Sequence, residues 1–76
     1  MSLFKKKKYK VITLTVKGMK CGMCETHVND IIRKNFKIKG VKSSARKNTV
    51  TITYENEIDL IKVAEVLHSF GYDVIL

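Results

Sequence analysis

The stretch VITLTVKGMKCGMCETHVNDIIRKN, residues 11–35, changes its hydrophobic period in the middle, and that change decides the fold. Up to Val16, the residues Ile12, Leu14 and Val16 alternate with Val11, Thr13 and Thr15. A period of two is what a pleated strand imposes. The intervening Thr and Val, in place of charges, predict a central strand over residues 9–16. Lys17, Gly18 and Lys20 then interrupt the pattern as a loop, with Met19 between them either exposed or tucked back as a plug. Beyond the loop, Cys24, Val28, Ile31, Ile32 and Phe36 recur every three or four positions, one face of a helix over residues 23–35. Arg33 and Lys34 fall in its last turn, where the helix dipole favours positive charge.

Working outward, Gly40 is expected to allow the turn from the helix, and Val41 to begin a short strand. Arg46, Lys47 and Asn48 form the next turn, and Val50, Ile52 and Tyr54 share one face of the strand after it. Asn56 reads as the cap of a second helix with Asp59 as its acidic partner three residues on. Ile58, Ile61, Val63, Ala64 and Leu67 supply that helix's apolar stripe, and Gly71 stops it in the left-handed conformation. Tyr72, Val74 and Leu76 make a last strand, and Phe36, Tyr54 and Phe70 close the core or its edges. The order is strand, helix, strand, strand, helix, strand. With short connections and one stripe per helix, the packing expected is an α+β domain: four strands with both helices on one face.

A chain of 76 residues holds one such domain and a small core. An enzyme pocket would compete with that core for the same side chains, which favours a binding or carrier role. No Ser–His–acid arrangement, phosphate-cradling loop or spaced acid pair is present. The net charge is +8, and Lys5, Lys6, Lys7, Lys8 and Lys10 supply five positive charges ahead of the first apolar pattern at Val11. Residues 1–8 therefore read as a basic arm, solvated or steering, and residues 9–76 as the domain. Contact of the arm with nucleic acid or an anionic membrane stays open. The basic start leads into an alternating pattern instead of a secretory hydrophobic core, and no run approaches the roughly 20 apolar residues of a membrane helix. A disulfide between two cysteines three apart would close a tiny loop and stabilise little, so thiols in a reducing cytoplasm are expected.

Cys21 and Cys24 stand where loop becomes helix. Unpaired amide donors and the positive end of the dipole there favour thiolate over thiol, the form that ligates metal. Their spacing lets two sulfurs converge on one ion, and Gly18 and Gly22 leave the loop room to change geometry. Structural zinc usually takes four protein ligands, and two thiolates suit Cu(I) better. A thiol–redox protein uses the same spacing, but thioredoxin-type domains need a longer chain, and Pro is absent here. Met23 reads as an exposed contact more than a thioether ligand. His27 and His68 read as surface histidines.

The run Gly18-Met19-Lys20-Cys21-Gly22-Met23-Cys24 resembles the Gly-Met-x-Cys-x-x-Cys loop of the heavy-metal-associated domain family, which includes copper chaperones and N-terminal domains of copper- and zinc-transporting P-type ATPases. The resemblance runs from about Lys10 to the end, through Val28, Val41 and Gly71-Tyr72. It implies a ferredoxin-like βαββαβ fold with an antiparallel sheet, and Cys21 and Cys24 as the metal ligands. Met19 would pack beneath the loop, and Tyr72 matches the aromatic near the metal in bacterial chaperones. Lys20 departs from the Thr, Ser, Asp or His common at its position and suggests an acidic docking face. Met19, Lys20, Gly22, Met23 and Tyr72 are thus expected to support the site or meet a partner. The resemblance implies transfer of Cu(I), alternatively Zn(II) or another thiophilic ion, to a metal-transporting P-type ATPase or another acceptor with exposed thiols. A metal-sensing domain and a metal-bridged homodimer are the alternatives it leaves open.

Overall fold

The computed structural model describes residues 9–20 and 22–76, so the basic arm expected over residues 1–8 lies outside them. The elements are β1 (Lys10–Lys17), α1 (Gly22–Asn35), β2 (Gly40–Ser44), β3 (Thr49–Tyr54), α2 (Leu60–Ser69) and β4 (Asp73–Ile75), the order expected. All strand pairs are antiparallel, and the sheet runs β2-β3-β1-β4. β1 is central, as its Thr and Val positions predicted. Its register against β3 sets Ile12 opposite Ile52 and Leu14 opposite Val50, while Val16 lies opposite Val74 of β4.

A period of two sends those residues to one face, and both helices cover it. Val28, Ile31 and Ile32 of α1 and Val63 and Leu67 of α2 join Leu14, Val16, Val50 and Ile52 in one core. The other face carries Val11, Thr13, Thr15, Thr51 and Thr53. There the Thr13 and Thr51 hydroxyls lie 3.2 Å apart across the strand pair. Side chains and backbone also bind α1 to the β2–β3 hairpin. The Glu25 carboxylate accepts from the Ala45 amide at 2.6 Å, and the Ser43 hydroxyl donates to Asn29 at 2.6 Å.

Five expectations need correction. Asn56 does not cap α2: Asp59 does, its Oδ1 accepting from the Ile61 and Lys62 amides at 3.1 and 3.2 Å. An N-cap reaches only the second and third helical amides, and Asn56 precedes the helix by four residues. Ile61 lies outside the buried stripe and is 65% exposed. At about 100° per residue it points some 200° away from Val63. Phe70 is 52% exposed, because it is the C-cap of α2 and leaves the helix's buried face there. Leu76 lies past the end of β4 and is exposed. Gly40 opens β2 without a left-handed backbone, so the turn before it does not depend on glycine.

Candidate metal-binding loop

One end of the sheet gathers the loop after β1, the start of α1, the β2–β3 turn and the turn from α2 to β4. Gly71 closes α2 with φ +95°, so the Gly71 amide reaches the His68 carbonyl at 2.9 Å and the Tyr72 amide reaches Leu67 at 3.0 Å. This double bond pattern around a left-handed glycine is a Schellman cap, and it drives Tyr72 back into the core beside Leu67. Gly18 rests on that turn. Its φ is +106°, and a Cβ there would meet the Gly71 carbonyl at 3.3 Å and Tyr72 Cδ1 at 3.5 Å. Two glycines thus let two loops touch backbone to backbone.

Met19 is 5% exposed and belongs to the core, so it plugs the loop from below. Lys20 is exposed. Cys21 lies outside the described residues. Gly22 is the first residue of α1, and the Thr26 hydroxyl donates to its carbonyl at 3.2 Å. Met23 is 81% exposed. Cys24 is half-buried in the first turn of α1 and packs against the core from its edge. The described part of the loop therefore separates supporting side chains, Met19 and Tyr72, from presented ones, Lys20 and Met23.

Tyr72 is 6% exposed, which puts it beneath the loop and not on a docking surface. A 2.9 Å hydrogen bond joins its hydroxyl to Nδ1 of His27. The His27 ring also stands edge-on to Phe70 and Tyr72, with centroids 5.5 and 5.8 Å away. His27 is exposed, as expected of a surface histidine, yet its ring is engaged. Sequence reading missed this role and that of Glu25, which ties the start of α1 to Ala45. One signal for His27 was available: it lies one turn beyond Cys24, on the neighbouring side of the helix. His68 is exposed near the end of α2. Among the described residues, no group of three or more His, Cys, Asp or Glu side chains is placed to hold a metal ion. None of their helices is long and apolar enough to cross a membrane.

A family model for the heavy-metal-associated domain matches residues 13–73. The chain belongs to that family. This heavy-metal-associated domain is 30% identical over 67 residues to an uncharacterised protein of Haemophilus influenzae, covering 84% of this chain and 94% of that one. Its fold matches a Bacillus anthracis protein, provisionally described as copper-ion-binding, at 27% identity and TM-score 0.78 over 92% of this chain and all of that one. It matches the yeast copper transporter domain Ccc2a, solved in apo and Cu(I)-loaded states, at 26% identity and TM-score 0.75, covering 84% and 89% of the two chains. The N-terminal domain of ZntA in its Zn(II) form shares the fold at 22% identity and TM-score 0.77, over 86% and 88%.

Proposed function

We propose that this heavy-metal-associated domain is a carrier and not an enzyme. It would hold one Cu(I) between the thiolates of Cys21 and Cys24 and pass it to a partner by ligand exchange. The observation that carries the reading is the position of Cys24 in the first turn of α1, three residues after Cys21, on a loop supported from below by Met19. Negative charge is favoured at that helix end, and thiolates select Cu(I) over harder ions. Binding exchanges two thiol protons for one Cu(I), leaving one net negative charge at the site. With two protein ligands, an incoming acceptor thiolate can join before either cysteine leaves, so the ion is never released to water. The partner is a protein with exposed thiols, and the loop's resemblance to those of copper chaperones favours a metal-transporting P-type ATPase. Lys20 and Met23, exposed beside the site, are the contacts it would meet. Retention of thiolates calls for a reducing compartment, the cytoplasm.

Anaerobic titration of the reduced protein is expected to show one Cu(I) per chain, lost when both Cys21 and Cys24 are replaced by Ser. Preference for Zn(II) in direct competition would move the reading to a zinc carrier. In a stopped-flow assay, loaded protein should deliver metal to a thiol-bearing acceptor faster than to a chelator. Equal rates would refute direct handover and favour sensing or storage.

A further inference from the structure

Tyr72 touches both arms of the metal loop. The first arm leaves β1 through Gly18, Met19 and Lys20 and leads on to Cys21. At its base, a Cβ on Gly18 would meet Tyr72 Cδ1 at 3.5 Å and Tyr72 Cα at 3.6 Å, so this arm lies directly against the tyrosine. The second arm is the first turn of α1, which carries Cys24. His27 stands on α1 three residues beyond Cys24, about 4.5 Å along the axis. Its Nδ1 is joined to the Tyr72 hydroxyl by the 2.9 Å hydrogen bond. One side chain therefore spans from the base of the first arm to the second, and His27 is where it is fastened. The fastening is held in turn by Phe70, edge-on to the His27 ring at 5.5 Å. Tyr72 is buried, so its ring cannot swing aside without opening the packed core. Met19 ties the first arm to the core and Glu25 ties the second to the amide of Ala45, but neither contact joins one arm to the other.

We infer that His27 is a positioning residue of the metal loop, acting through the Tyr72 hydroxyl: it fixes the separation of the two arms and so holds the loop ready for metal. The inference rests on the reading of Cys21 and Cys24 as the ligands, but the brace itself needs no ion. Two sulfurs meet one ion only over a narrow range of separations. With bonds of about 2.3 Å they stand about 3.8 Å apart at a tetrahedral angle and about 4.6 Å apart in line. A shift of less than 1 Å between the arms, on the order of that difference, is therefore felt by the ion. A bond that served stability alone would leave metal affinity untouched, since a domain that stays folded binds with the affinity of its folded state. Affinity falls only when fewer folded molecules hold the loop in its binding arrangement.

Competition for Cu(I) between a chelator and the reduced full chain tests it. Tyr72→Phe and His27→Leu should each weaken Cu(I) binding about two- to fivefold, the range by which one such hydrogen bond can shift an equilibrium. The double variant should lose no more than the larger single loss, because both changes break the same bond. His27→Asn should restore most of the loss, since its amide sets a polar atom as many bonds from the backbone as Nδ1. Asp59→Ala is the stability control. It loses the cap of α2, about 16 Å along the helix from Phe70, and should leave Cu(I) affinity unchanged. Metal-free protein gives a second readout, in nitrogen relaxation of the backbone. Order parameters at Gly18, Met19 and Gly22–Cys24 should fall from about 0.85 toward about 0.6 in Tyr72→Phe, while those of β3 hold. Unchanged order parameters would overturn the inference. So would an equal loss of Cu(I) affinity in Asp59→Ala, or His27→Asn binding as weakly as His27→Leu. A wild-type chain that binds no Cu(I) would refute the carrier reading instead, and the relaxation result would then decide the brace alone.

Discussion

Replacing Tyr72 by Phe deletes one oxygen from beneath the metal loop and with it the 2.9 Å bond to His27 Nδ1. A hydrogen bond contributes about 0.5–1.5 kcal/mol net, and His27, being exposed, recovers water on its own side. Tyr72→Phe should therefore cost about 0.5–1 kcal/mol. His27→Ala removes the same bond from the buried side and also two edge-on ring contacts, at 5.5 and 5.8 Å. Each aromatic pair adds about 0.5–1.5 kcal/mol, less where it is exposed, so about 1.5–2.5 kcal/mol is expected. For a domain this size, 1 kcal/mol moves the thermal midpoint by about 4–8 °C. Far-UV circular dichroism on reduced, metal-free protein reads the shift directly. The decisive comparison is the double variant: once Tyr72 is Phe, His27→Ala should cost about 0.5–1 kcal/mol less than it does alone. Additivity within about 0.3 kcal/mol would mean that the bond does not form in solution. It would also reduce the link between α1 and the Gly71 turn, on which Gly18 rests, to the ring contacts of His27.

Gly18→Ala forces a side chain into a left-handed backbone 3.3 Å from the Gly71 carbonyl and should destabilise by about 1–3 kcal/mol, whereas Gly22→Ala, with nothing within 4 Å, should be neutral or mildly stabilising; urea titration separates them. Asp59→Ala loses the cap of α2 and should cost about 1 kcal/mol, while Asn56→Ala should stay within about 0.5 kcal/mol, which equilibrium unfolding can check. Ile32→Ala, in the centre of the core, should cost about 2–5 kcal/mol against less than about 0.5 for the exposed Ile61→Ala, read as thermal midpoints.

The strands were legible in the sequence because period two survives any tertiary context that keeps one face dry. Ile12, Leu14 and Val16 reveal their direction before a neighbour is known. α2 was legible as a helix but not at its start. Asn56 and Asp59 are both good caps, and the choice belongs to the chain's path after β3, which composition does not encode. Ile61 was misread for a different reason: hydrophobicity alone put it in the stripe, although two residues of helix turn it some 200° from Val63. Phe70 was misread because its hydrophobicity says nothing about standing at a C-cap. Around the loop, Met19 was left between two fates, and burial resolves it. The His27–Tyr72 bond was out of reach, since it joins residues 45 apart in sequence through a turn that only Gly71 makes possible.

On the proposed carrier reading, the arrangement of support under the loop also explains why so few residues need be dedicated to metal. A carrier must hold its ligand-bearing loop firmly enough to be selective and leave it open enough to exchange. In this chain the firmness comes from below and from the sides. Met19 enters the core, Tyr72 backs Gly18, and Glu25 fixes the first turn of α1 to the hairpin at Ala45. None of these contacts uses the outward surface of the loop, where Lys20 and Met23 remain exposed. A substitution beneath the loop should thus be felt as lost stability and altered metal retention together. A substitution at Lys20 should change encounter with a partner alone. Lys20→Glu is accordingly expected to leave the unfolding midpoint and Cu(I) affinity nearly unchanged while slowing transfer to an acidic acceptor and weakening its salt dependence. If Lys20→Glu instead lowered metal affinity as much as a change at Met19, the division between support and presentation would be wrong.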